Sequence, residues 1–312
     1  MPTSKSQGDP ELCCYAVRHA GRPHRNDLMK IFYNDKQNCT EASSYSPSAS
    51  KPALFVADTL KHFPQVDVVL SGPVRLEDLY RAHHPEYVQG ILAGKIDNGF
   101  GNRSPAVAAT LLYTSGSLLD AAQFALQSNA HSCSPTSGFH HAGFQAAQGF
   151  CTFNGLMVAA AALHDTRDIQ VGILDIDQHY GNGTSDIIRK KNIDYVKHHT
   201  FGRHFRDGQD CARGQFEVWL TDAIADLQSC DLVLYQAGAD PHIEDPLGGC
   251  LSTEQMRQRD RQVFESFKGK PLVWNLAGGY QKDANGGIEP VLALHRNTVQ
   301  EWINATPAAS AA

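Results

Sequence analysis

From about residue 130 onward, short apolar β-branched runs alternate with longer stretches whose apolar residues recur every three or four positions. The short runs, bounded by turn formers, predict buried strands over 169–174, 193–196, 231–236 and 271–276, with another near 130–133. The longer stretches predict amphipathic helices over 154–163, 216–228, 253–267 and 289–302. Strands alternating with helices in this way specify a mostly parallel central sheet with helices on both faces, an α/β fold built as one domain. Asn154 stands at a helix N-cap position, and the run MVAAAAL behind it offers small residues for close packing against the sheet.

The first half carries a weaker pattern. Residues 30–33 suit a first strand, and 52–63 and 105–126 have helical periodicity. Between them, 38–52 is rich in Ser and Ala, and 94–105 contains Gly94, Gly99 and Gly101, so both read as surface loops. Residues 1–29 show little periodicity and many loop formers, which predicts a tail or extension, and 305–312 read as a flexible C-terminal tail.

Composition narrows the function classes. Apolar residues are 42% of the 312 and charged residues 19%, enough for a large core. The net charge of -6 leaves no basic footprint for nucleic acid, and Arg189, Lys190 and Lys191 read as a solvated helix end. No run approaches the roughly 18 apolar residues of a membrane span, and the first residues lack an apolar signal core, so a cytoplasmic location is expected. The eight cysteines, Cys13 and Cys14 included, show no CxxC spacing and are expected to be free thiols.

Polar clusters follow four of the expected strands, where open parallel sheets place their ligand sites. His140 and His141 follow the first, Asp175, Asp177 and His179 the second, Asp240 the third and Tyr280 the fourth. Asp177, His179 and Asp240 supply two carboxylates and an imidazole, the three protein ligands that a catalytic zinc needs beside an open position. The i, i+2 spacing puts Asp177 and His179 on one side of an extended segment, and Asp240 can enter from a separate strand end. Asp175 shares that side, but a fourth ligand would close the site, so its expected role is to orient a histidine.

Taken singly, each cluster has a plainer reading. Asp-x-Asp-x-His suits a loop or cap, Asp240 before a proline suits a turn, and paired histidines suit packing. Four clusters in order, each at a strand end, outweigh those readings. The glycines of GNGTSD imitate a nucleotide loop, but Asp186 stands where its third glycine belongs.

The segments SGFHHAGF, GFCTFN, LDIDQHYGNGT, GADPHIEDPLGG and LAGGY resemble, in order and spacing, the successive signatures of histone deacetylases and acetylpolyamine amidohydrolases. KIFYNDKQN and HPEYVQGIL resemble the amino-terminal part more loosely, so the resemblance spans about residues 30 to 300. It implies the arginase/deacetylase fold, with a zinc-dependent deacetylase domain over 30–304. It also implies one zinc held by Asp177, His179 and Asp240, with His140 and His141 facing water and backed by Asp175 and Asn182. His141 then acts as general base and later acid, His140 as an electrostatic helper, and Tyr280 as hydrogen-bond donor to the oxyanion. Asparagine at 182, where some relatives have aspartate, is similar to the class II pattern and should leave His141 less cationic.

The resemblance also bears on substrate. Gly149 and Phe150 match positions that wall an acyl-lysine tunnel, and Leu247 stands where polyamine-selective eukaryotic relatives carry an acid. An acylated lysine in a peptide or protein is therefore the expected substrate, with acetylpolyamine or another small acylated amine as the alternative. Neither nucleic acid nor a membrane is an expected partner, while a homo-oligomer is compatible with the chain. Relatives hold a potassium ion near Asp175 with help from a serine; here YVKHHT aligns Lys197 with that serine, so either a structural potassium ion or its replacement by the Lys197 ammonium is expected, the plainer alternative being an offset alignment with Lys197 exposed. Asp97 suits a rim carboxylate or a solvated loop acid, and SSYSPSASKP departs from the entrance loop of many relatives. An arginase-type dinuclear centre would need further carboxylates, and an inactive binding module would have no use for the full set.

Overall fold

Buried apolar runs become strands here because both faces of one sheet are covered, which removes the need for alternation. A computed structural model describes residues 29–40, 44–205, 211 and 214–306. Its strands are β1 (Lys30–Tyr33), β2 (Asp67–Leu70), β3 (His131–Ser134), β4 (Val171–Asp175), β5 (Val196–Thr200), β6 (Leu232–Gln236) and β7 (Leu272–Asn275). Among the described residues they form one parallel sheet in the order β2-β1-β3-β7-β6-β4-β5. β5 lies beyond the expected 193–196, because Val196 pairs with Val171 and that register carries the polar segment Lys197 to Thr200 along β4 as far as Asp175.

Successive strand residues feed two cores. Ile31, Leu174, Val233, Tyr235, Leu272 and Trp274 pack on one face under helices Lys51–His62, Gln215–Leu227, Thr253–Ser266 and Glu289–Ala305. Phe32, Ile173, Leu232, Leu234 and Val273 pack on the other, under Leu76–Ala82, Pro105–Ser128 and Gly155–Arg167. Asn154 caps Gly155–Arg167 by accepting from Met157 N, and Ala159 to Ala162 are buried, as the small-residue run requires. Helix Pro105–Ser128 starts with Ser104 as cap and Pro105 in its first turn, and it ends at Asn129 in the left-handed region (φ 48°).

Cys211 and Cys250 form a disulfide, with Cα atoms 5.8 Å apart across 39 positions of sequence, which corrects the expectation that every cysteine is free. Sequence spacing hides the pair because the segments after β5 and β6 meet only in the fold. Cys39, Cys133, Cys151 and Cys230 are free and buried, while Cys13 and Cys14 lie outside the described residues. The expected tails also lie outside them, apart from the buried Met29, Ala305 and Thr306. Among the described residues no helix is long and apolar enough to cross a membrane.

Candidate active site

In the sheet order, β3, β7, β6 and β4 are consecutive neighbours, so their carboxyl ends gather residues that are far apart in the chain. Asp177 and His179 come from the segment after β4, and Asp240 from the one after β6. Their potential ligand atoms all lie within 4.8 Å of one another. His179 Nδ1 stands 3.0 Å from Asp177 Oδ1 and 3.1 Å from Asp240 Oδ2, with both carboxylates buried and the imidazole partly open. Hydrogen bonds to those two carboxylates raise His179 to about 11. Burial and the charge of Asp177 push Asp240 up to about 7 against the opposing pull of His179. Nitrogen and carboxylate donors in this number suit zinc.

The two histidine rings lie side by side, centroids 4.0 Å apart and planes tilted by 45°, yet have opposite electrostatics. His140 Nδ1 donates to Asp175 Oδ2 at 2.8 Å, and its Nε2 is 3.6 Å from Asp177 Oδ1. Burial alone would lower its pKa, but Asp175 and Asp177 outweigh it and raise His140 to about 9. His141 Nδ1 donates to Asn182 Oδ1 at 2.6 Å, and Asn182 Nδ2 donates in turn to Gln148 Oε1. Burial and the neighbouring His140 charge lower His141 to about 4, and the neutral amide does little to resist them. The carboxylate of Asp175 thus favours the charged form of one ring, while burial and the neighbouring His140 favour the neutral form of the other.

Tyr280 follows β7 and is buried, its ring 5.9 Å from that of Phe150. Burial, then the charges of Asp177 and Asp240, raise its pKa, so the phenol keeps its proton. Phe150 lies between Phe100 and Tyr280, and Gly149 backs His141 so closely that a Cβ there would come within 2.4 Å of the ring. A cavity of about 720 Å³ opens beside His141 and His179, with Gln148, Tyr180, Asn182 and Leu247 on its wall.

Asp175 accepts from Gln236 Nε2 at 2.6 Å and Thr200 Oγ1 at 3.3 Å as well as from His140. The strand alternation of β5 turns His198, not Lys197, toward it, with His198 Nε2 3.8 Å from Asp175 Oδ2. Lys197 points the other way, bonding Asp226 at 2.6 Å and Ser229 at the surface, so its expected replacement of a monovalent ion is wrong. Asp97 is an exposed loop acid paired with Arg103 at 2.6 Å.

Sequence reading missed four neighbours of the site. Lys51, expected in a surface loop, is fully buried and donates to Ala277 O at 2.6 Å. Its burial lowers it to about 8 against the pull of Asp240 and Asp177. Phe100 and Gln148 carry no motif of their own. Asp245 sits inside the GADPHIEDPLGG signature, and that position was its only signal.

A sequence model described as the histone deacetylase domain matches residues 50–213 and 207–290. An uncharacterized protein of Picosynechococcus sp. is 30% identical over 69% of this chain and 79% of its own length. Acetylpolyamine amidohydrolase 1 of Pseudomonas aeruginosa is 28% identical over 60% of this chain and 62% of its own. Histone deacetylase 18 of Arabidopsis thaliana is 30% identical over 47% of this chain, and the match spans 26% of that longer protein. The crystal structure of an acetylpolyamine aminohydrolase from Burkholderia pseudomallei shares the fold, with a TM-score of 0.69 at 18% identity over 88% of this chain and 98% of that one.

Proposed function

Because the chain belongs to the histone deacetylase family, we propose that this amide hydrolase removes acetyl or another acyl group from a lysine side chain in a zinc-dependent reaction. Asp177, His179 and Asp240 would hold the metal. When bound, zinc supplies Lewis acidity, which polarises the acyl carbonyl and acidifies water. An unactivated amide needs such help, because water is a poor nucleophile and the oxyanion that develops is costly in a buried site.

The rest of the work falls to the protein. His141 takes the proton of the attacking water at Nε2, which is free because Asn182 holds the proton on Nδ1. His140, a cation locked to Asp175, balances negative charge as it builds. Tyr280 donates its hydroxyl hydrogen bond to the oxyanion formed from the acyl carbonyl. The proton on His141 then passes to the leaving amine.

The observation that carries this reading is the convergence of a three-donor cluster, two histidines held by Asp175 and Asn182, and a buried tyrosine at four adjacent strand ends. Leu247 on the cavity wall supports an acyl-lysine, since an uncharged side chain suits an alkyl shaft better than a polyamine cation. Turnover of an acetyl-lysine peptide and of acetylputrescine, before and after chelation, tests it. The peptide should be cleaved faster, activity should vanish with chelator and return with zinc, and a hydroxamate should inhibit. Preference for acetylputrescine would reverse the substrate assignment, and cleavage of neither would overturn the proposal.

A further inference from the structure

Tyr280 lies in an irregular segment, with Ala277 (φ 48°) and Gly279 (φ 145°) both in the left-handed half of the map, so no strand or helix fixes its height above the sheet. Carboxylates hold it instead. Gly278 N donates to Asp177 Oδ2 at 2.8 Å, and Tyr280 N donates to Asp245 Oδ2 at 2.7 Å. The second oxygen of Asp245 accepts from Leu247 N at 3.0 Å, closing a turn that puts Leu247 on the wall of the mouth. The same two segments are tied once more by Gln281 Nε2, which donates to His242 Nδ1 at 2.6 Å.

Asp245 is buried and makes no salt bridge among the described residues. Burial raises its pKa, and the two backbone donors oppose that rise. A turn at Leu247 alone would need one acceptor, which asparagine or serine supplies at lower desolvation cost. A carboxylate adds a second acceptor oxygen, and that oxygen is spent on Tyr280.

We infer that Asp245 is a positioning residue for the oxyanion donor, setting Tyr280 through its backbone amide while anchoring Leu247 of the mouth with the other oxygen. This role rests on the reading of Tyr280 given above. In Asp245→Asn the local turn keeps the amide oxygen on Leu247 N, so an NH₂ group faces Tyr280 N and that tie alone is lost.

The test compares full-length zinc-loaded wild type, Asp245→Asn, Tyr280→Phe and the double variant. Asp245→Asn should lower kcat at least about tenfold while KM stays within about twofold, and in the Tyr280→Phe background it should cost less than about twofold. Equal losses in both backgrounds would mean a general structural role and would overturn the inference, as would an unchanged kcat. Asp245→Ser, which keeps an acceptor for the Leu247 turn, replaces Asp245→Asn if that variant does not fold. Backbone amide exchange at Tyr280 gives a second measurement, needing no substrate. It should quicken at least about tenfold in Asp245→Asn with β6 and β7 unchanged, and unaltered exchange overturns the assignment. A wild type that cleaves nothing, with Tyr280 exchange responding as expected, would refute the catalytic reading and leave the positioning contact standing.

Discussion

Gly278 is packed against Asp240 so tightly that a Cβ on it would lie 2.3 Å from Oδ2 of that carboxylate and 2.8 Å from Oδ2 of Asp177. Those contacts are shorter than any carbon and oxygen tolerate, and both oxygens belong to the proposed ligand set. Gly278→Ala must therefore push the carboxylates apart. Purified Gly278→Ala protein should hold roughly tenfold less zinc than wild type at equal free metal, measured by elemental analysis, with the fold retained by circular dichroism. Full occupancy would show that the carboxylates can yield without losing the site.

Burial and two nearby acids raise the pKa of Tyr280, which suits the proposed role of hydrogen-bond donor. Tyr280→Phe keeps the ring against Phe150 and removes only the hydroxyl. Its kcat should fall about 10²- to 10³-fold with KM little changed, the pattern of an interaction made in the transition state. A rise in KM at constant kcat would assign the hydroxyl to substrate binding.

Asn182 decides which nitrogen of His141 carries the proton. Asn182→Leu removes the acceptor for Nδ1–H, so the proton is free to sit on Nε2, where the base must be bare. A loss of roughly 10- to 100-fold in kcat at unchanged zinc content is expected, and Asn182→Asp, which restores an acceptor, should recover most of it. Equal activity in Asn182→Leu would remove His141 from the role of base.

His83 is a stability element away from the metal ligands. Fully buried, it donates from Nδ1 to Gly143 O and accepts at Nε2 from Asn154 N, the cap of the helix behind the histidine pair. Burial lowers it from 6.5 to about 4, so only the neutral ring fits. Between those values the unfolded chain binds the proton that the folded chain refuses. The stability involved is complete above pH 6.5 and drains away as pH falls toward 4. In urea unfolding, wild type should lose on the order of 2 kcal/mol more than His83→Gln between pH 7 and pH 5. Parallel losses in the two proteins would place the acid sensitivity elsewhere.

Periodicity and turn chemistry were enough to locate the strands of the sheet interior, the long helices and the polar clusters at four strand ends, because each of these is written in residues adjacent along the chain. Burial on both faces leaves an unbroken apolar run, a cap needs its oxygen three positions from its donor, and Asp177 and His179 need only each other's spacing. The short helices Leu76–Ala82 and Pro85–Leu92 went unpredicted, and Asn182–Lys191 was legible only at its basic end. β2 escaped because it is a short, largely exposed edge strand with no buried run to mark it. Lys197 was misplaced because one step along a strand reverses the face, and only pairing with β4 settles which of Lys197 and His198 looks at Asp175. The Cys211–Cys250 bond, the buried Lys51 and the grip of Asp245 on Tyr280 were likewise decided by tertiary structure. Each depends on which segments meet after the sheet closes, and a residue's own neighbours in sequence carry no record of who will stand across from it.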